Sequence, residues 1–227
     1  MELNEYTEGK ILLIDKPLTW TSFDVVKKLR YALKVKKIGH AGTLDPLATG
    51  LLLIGTGKFT KKLNELQGLD KEYEGVITIG KITPSYDLET EFENETSIDH
   101  LTEEDLINAT KKLTGPLDQI PPAHSAVRIN GERAYKKARK NEEVKIDPRK
   151  IIIHEFALTK IEGADVHFRI ACSKGTYIRS MARDFGELLG VGGHLSALRR
   201  TKIGDFSVDD ADQLDDFINQ IKQDAPS

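Results

Sequence analysis

The sequence is short of thiols, of long apolar runs and of net positive charge. Among 227 residues there is one cysteine, Cys172. No disulfide can form within the chain, and a cysteine-based metal site is excluded. The six histidines stand far apart, at 40, 100, 124, 154, 167 and 194. None forms a pair at the helical or loop spacing that holds zinc. The longest apolar runs are four or five residues, far short of the ~20 that a membrane helix needs. The opening MELNEYTEGK is polar and carries no signal-peptide apolar region. A soluble chain in a reducing cytoplasm is the expectation.

The formal net charge of −3 argues against a nucleic-acid binder only if the charge is spread evenly. It is not. Residues 87–105 hold nine acids and no Lys or Arg, and residues 205–227 hold seven Asp and one Lys. Taking the −9 and −6 of these two segments out of −3 leaves +12 on the remainder. The basic clusters are KKLRYALKVKK (27–37), KFTKK (58–62), RAYKKARK (133–140) and KIDPRK (145–150). Each alone reads as a solvated surface. Together they suggest a basic face and an acidic back, the arrangement that suits a polyanion.

Periodicity gives a coarse chain order. GKILLIDKP (9–17) reads as a buried strand, 21–34 as a capped helix, and 50–58 and 71–80 as strands. TEEDLINATKKLTG (102–115) is the clearest helix, with a Thr cap, acids in its first turn and Lys in its last. Segments 149–162 and 165–174 read as a β-hairpin, 176–190 and 210–222 as helices. Strands and helices mix irregularly, which argues one α+β domain over 1–227 with a mixed, mostly antiparallel sheet flanked by helices. The acidic stretch 87–100 and the basic stretch 130–150 read as insertions or long loops.

One segment stands apart. From Ala41 to Gly55 there is a single ionisable side chain, Asp45, directly before Pro46. Glycines at 39, 42 and 50 are expected to break any helix or long strand here. Asp45 can be an Asx-type turn residue. The surrounding Leu44, Leu47 and Leu51–Ile54 favour instead a half-buried carboxylate that needs a cation from elsewhere. Arg179, near the start of the 176–190 helix, is one candidate, since helix starts favour acids; the other reading lets it reach solvent. GTGK (55–58) is not a phosphate loop, because Leu52 and Phe59 stand where glycine and Ser/Thr are needed.

The blocks IDKPLTWTSFDVV, GHAGTLDPLATGLLLIGTGK, KEYEGVITIG, PPAHSAVRINGERAYKKARK, CSKGTYIRSMARDFGELLG and HLSALRRTKIGDF resemble, in order, the TruB family of tRNA pseudouridine synthases. Ala41 stands where the family usually has Thr. The 21 residues after 206 are too few and too acidic for the RNA-binding PUA domain that many members carry. The resemblance implies a pseudouridine synthase fold and isomerisation of the T-loop uridine at tRNA position 55, without cofactor or metal, after the base is flipped out. It implies Asp45 as the catalytic aspartate and Arg179 as its ion-pair partner. It also implies Tyr73 stacking on the base, Tyr177 and Leu198 lining the pocket, and His40 packing against the RNA. Lys16 and Pro17 would support the site, and Lys16 is counted among the RNA contacts. Residues from about 121 to 150 would form a loop clamping the T-arm, with Arg133, Lys136, Lys137, Arg139 and Lys140 on phosphates. The partner implied is the tRNA T-arm, met by a monomer. The contrasting reading is a tRNA-folding, RNA-binding module without chemistry; an Asp-nucleophile hydrolase is weaker still, with no general base at a recognisable spacing.

Overall fold

The computed structural model describes residues 4–125, 128–129, 132–133 and 146–224. In chain order, the first elements are α1 (Asn4–Glu8), β1 (Ile11–Lys16), α2 (Ser22–Leu33), β2 (Ile38–Ala41), β3 (Ala48–Thr56), α3 (Leu63–Gln67) and β4 (Lys71–Ile79). Next come β5 (Lys81–Ile82), β6 (Asn94–Glu95), α4 (Glu103–Lys112), β7 (Gly115–Gln119), β8 (Arg128–Ile129) and β9 (Glu132–Arg133). The chain closes with β10 (Arg149–Glu162), β11 (Asp165–Cys172), α5 (Ile178–Leu188), β12 (Gly193–Ile203), β13 (Phe206–Ser207), β14 (Asp212–Gln213) and α6 (Leu214–Asp224). The chain forms two compact units, Met1–Tyr73 with Leu198–Ser227, and Glu74–Ala197.

In the first unit the strand order is β14-β1-β3-β12, with β2 also on β3 and β13 on β12. β1 and β2 run antiparallel to β3, whereas β12 runs parallel to it and β14 parallel to β1. The LLLI run of β3 has no exposure at all, because both of its faces are covered. Leu52 and Ile54 pack with Val25, Val26, Leu29 and Leu33 of α2 and with Phe217, Ile218 and Ile221 of α6. Leu51 and Leu53 face Ala41, Ile203 and Val208.

Helix α2 starts where the sequence says it should. Thr21 Oγ1 accepts the Asp24 amide at 3.0 Å and Asp24 Oδ2 accepts the Thr21 amide at 3.0 Å, a reciprocal cap. Thr102 and Asp105 repeat the device on α4 in the second unit.

Glycines 39 and 50 do not break strands: they lie inside β2 and β3. Gly50 has φ +102°, and a Cβ there would come within 2.3 Å of the Arg200 carbonyl oxygen in the parallel β3–β12 pairing. The glycine is needed for close backbone approach, not for a turn.

The second unit holds the order β4-β11-β10-β7. The 149–162 and 165–172 hairpin is present as expected, with bulges near Ile153 and Leu158. Its interior is aromatic: Phe156 lies 6.1 Å from Phe168 and 5.6 Å from Phe185 of α5, ring centre to ring centre. Ile178, Met181, Ala182 and Phe185 form the buried side of α5. No helix among the described residues is long and apolar enough to cross a membrane.

The expected split into basic face and acidic back is not clean. Lys28 of α2 reaches Asp215 of the acidic terminal helix at 2.6 Å. The acidic stretch is likewise not all solvated, since Asp87 is buried.

Candidate active site

Asp45 stands on the short loop between β2 and β3, half-buried. The turn itself is closed by backbone: the Ala48 amide donates to the Asp45 carbonyl at 3.0 Å. Three buried groups hold the loop from below. Ser22 Oγ accepts the Leu44 amide at 2.9 Å and donates to the Leu44 carbonyl at 3.2 Å. Arg200 Nη2 donates to the Gly42 carbonyl at 3.3 Å and its Nε to the Leu51 carbonyl at 2.8 Å. The Pro46 carbonyl accepts from the Thr19 amide at 2.8 Å and from Lys16 Nζ at 3.4 Å.

Lys16 is not placed as a phosphate-contacting cation. It has no exposure, and its ammonium also donates to the carbonyls of Pro17 (2.9 Å) and Trp20 (2.6 Å). Burial holds its pKa down at about 8, against an upward pull from the nearby Asp45. That geometry corrects the expectation of an RNA contact and fits structural support.

His40 lies on β2 opposite Ile54, half-buried, its Nδ1 without a hydrogen-bond partner among the described residues. Burial lowers its pKa, partly offset by the Gly42 backbone. Leu198 on β12 pairs in parallel register with Ala48, three residues past Asp45. Tyr73, at the unit's boundary on β4, is buried. The register of β1, β2 and β12 against β3 gathers Lys16, His40 and Leu198 around the strand that follows Asp45.

Arg179 and Tyr177 belong to the second unit. Arg179 is buried, donating to the carbonyls of Ser85 (3.2 Å) and His124 (2.9 Å), and its Nε lies 3.5 Å from Asp87 Oδ2. It does not snorkel to solvent. Tyr177 caps α5 through its backbone: its amide donates to Gln119 Oε1 at 2.8 Å, and Gln119 Nε2 returns a bond to its carbonyl at 3.1 Å. The Arg149 guanidinium lies 5.5 Å from the Tyr177 ring centre.

Of the expected RNA-clamping loop, Arg133 lies on β9 in a small hairpin with β8, its side chain outside the described residues. Lys136, Lys137, Arg139 and Lys140 lie outside the described residues altogether. Three buried polar residues were not singled out from sequence. Ser22 and Arg200 sit inside recognised blocks, where their only signal is a polar residue next to an apolar stretch. Asp87 is masked by the eight acids that follow it.

The family model described as "TruB family pseudouridylate synthase (N terminal domain)" matches residues 30–178. A second, "tRNA pseudouridylate synthase B C-terminal domain", matches 179–225. The chain is 54% identical to "tRNA pseudouridine synthase B" of Flavobacterium johnsoniae over 98% of this chain and 100% of the relative. It is 46% identical to the protein of that name from Parabacteroides distasonis over 95% and 96%. Among solved structures, a chain in "Crystal Structure of a Cbf5-Nop10-Gar1 Complex" superposes with a TM-score of 0.76 at 30% identity. That match covers 96% of this chain and 56% of that chain, so the present chain spans about half of that longer protein. With the motif residues in place and a family model covering more than half its length, this chain belongs to the TruB family of pseudouridylate synthases.

Proposed function

We propose that the chain isomerises uridine to pseudouridine in tRNA, at position 55 of the T-loop, acting as a monomer in the cytoplasm. The uracil N1–C1′ bond breaks, a C5–C1′ bond forms, the C5 proton leaves to solvent and N1 takes up a proton. Every atom except that exchanged proton is conserved and no electron is gained or lost, so no redox partner enters the balance.

The observation that carries this reading is the Asp45 loop: one half-buried carboxylate in a stretch otherwise without ionisable side chains, inside the block that carries the family resemblance. In the proposal Asp45 is the reacting carboxylate and Arg179 the guanidinium that keeps it ionised. Tyr73, Tyr177, Leu198 and His40 receive the flipped nucleotide. Phosphate contacts come from the 133–140 cluster and from the exposed Lys27, Lys58, Lys61 and Lys62 of the first unit. A T-arm hairpin alone is then a substrate nearly as good as whole tRNA.

The test is tritium release from C5-labelled uridine in a T-arm hairpin, with wild type and Asp45→Asn compared at matched binding. Release by wild type and loss of more than about a thousandfold in the variant is the expected result. Binding without release by either chain would overturn it in favour of an RNA-folding module without chemistry.

A further inference from the structure

We propose that Ser22 and Arg200 are positioning residues for Asp45: they fix the backbone of the loop that carries it, on alternate residues, so that the carboxylate is presented in one orientation. This rests on Asp45 being the reacting carboxylate.

Between Gly42 and Leu47 the loop holds a bend and a turn but no helix or strand, and other elements hold its backbone at three residues. Gly42 is tied to Arg200, Leu44 to Ser22, and Pro46 to Thr19 and Lys16. The anchored positions are 42, 44 and 46. The intervening Thr43 is exposed and Asp45 is half-buried. The bonds fall on the residues either side of Asp45, so the backbone that carries its side chain is held before and after it.

The anchors come from different elements: the first residue of α2, the body of β12 and the end of β1. All are rigid. Ser22 is 2% exposed and Arg200 1%. Ser22 clamps one residue twice, as donor and as acceptor, which fixes the Leu44 peptide planes on both sides. Arg200 spans two segments with one guanidinium, joining Gly42 at the loop's start to Leu51 on β3. Among the described residues Arg200 has no carboxylate partner. A buried full charge is costly where its partners are carbonyls alone. A planar fork reaching two carbonyls in fixed directions is what a guanidinium offers and an ammonium does not. Gly42, at φ +85°, adopts a backbone that a side chain would strain. Reacting groups need placement within about 0.5 Å and 10–20°, and three anchors on alternate residues provide that for a glycine- and proline-containing loop.

Ser22→Ala removes both bonds to Leu44, and Arg200→Lys keeps the charge but loses the fork. In the hairpin tritium-release assay, kcat is expected to fall about tenfold or more in each. KM and hairpin affinity should stay within about twofold. Hydrogen exchange supplies the reading independent of turnover: the Leu44 amide should lose protection in Ser22→Ala while the amides of Leu51–Ile54 keep theirs. A kcat within about twofold of wild type in Ser22→Ala, with Leu44 exchange raised, would overturn the proposal, as would KM rising as much as kcat falls. If Arg200→Lys does not fold, Ser22→Ala alone decides. Asp45→Asn, run alongside, separates the two claims: its full activity would sink the Asp45 reading itself, whereas its inactivity beside an unimpaired Ser22→Ala sinks only the positioning role.

Discussion

Arg199 closes a two-point fork on Asp15, Nη1 to Oδ1 at 3.0 Å and Nη2 to Oδ2 at 2.6 Å, between residues 184 positions apart in the chain. Gln213 adds a third donor to Oδ2 at 2.9 Å. The carboxylate is buried while the arginine is two-fifths exposed. The two ends of the pair therefore tolerate loss unequally. Arg199→Ala strands a buried carboxylate with Gln213 alone and should destabilise by about 2–3 kcal/mol. Asp15→Ala leaves an arginine that can turn to water and should cost less. Urea unfolding of both variants checks the order, and equal losses would contradict it.

In the second unit Asp87 and Arg179 are both buried. Asp87 Oδ1 also accepts the Glu89 amide at 2.9 Å. Asp87→Asn removes the charge facing Arg179 while keeping the side chain's size. A loss of about 2–3 kcal/mol in urea is expected, and a variant as stable as wild type would show that the pair is not coupled.

Gly50→Ala places a Cβ 2.3 Å from the Arg200 carbonyl oxygen at a positive φ. The atoms it meets are Arg200 backbone and not a flexible side-chain tip, so the β3–β12 pairing must open. The expected cost is at least about 3 kcal/mol, read as a fall in the urea midpoint. A drop below about 1 kcal/mol would mean the strands can separate cheaply.

Lys16 gives a pH signature. Its folded pKa, near 8, lies below the ordinary 10.5 because burial disfavours the ammonium. Between these values the unfolded chain binds more protons than the folded one, so stability rises with pH across that window. Below about 8 the folded state carries the full cost of the buried charge. The stability of wild type minus that of Lys16→Met should therefore grow in wild type's favour from pH 7 to pH 10. A flat difference would place the lysine's pKa near its solution value, and a falling one would place it above.

Much of this was legible from sequence wherever a local signal agreed with the tertiary outcome. The reciprocal caps at Thr21 and Thr102 marked two helices to within a residue or two, and the Glu162-Gly163-Ala164 turn marked the long hairpin. The strand at LLLI was placed from its apolar run, whereas the cover on both of its faces was not. What escaped was charge in buried places. The stretch HLSALRRTKI carries three cations and forms β12, because Arg200 spends its charge on carbonyls and Arg199 on Asp15. A positive charge reads as surface when only sequence is considered, so both the strand and the anchor were hidden together. Lys16 misled in the same way. β2 was hidden by Gly39, whose pairing with Gly55 needs no side chain. For the site, Asp45 was visible as the one carboxylate in an apolar stretch, whereas the groups that hold its loop, lying 22 residues before Leu44 and 158 after Gly42, have no local signature.

That separation along the chain has a temporal side. The first unit is assembled from both ends of the sequence, and Arg200 is synthesised 155 residues after Asp45. At roughly 5–20 residues per second, that gap lasts about 8–30 s of translation. Through it, the Asp45 loop lacks its anchor at Gly42, and β3 lacks its parallel neighbour. A nascent chain thus holds the Asp45 loop at Leu44 and Pro46 by groups already made, while the Gly42 end waits for Arg200.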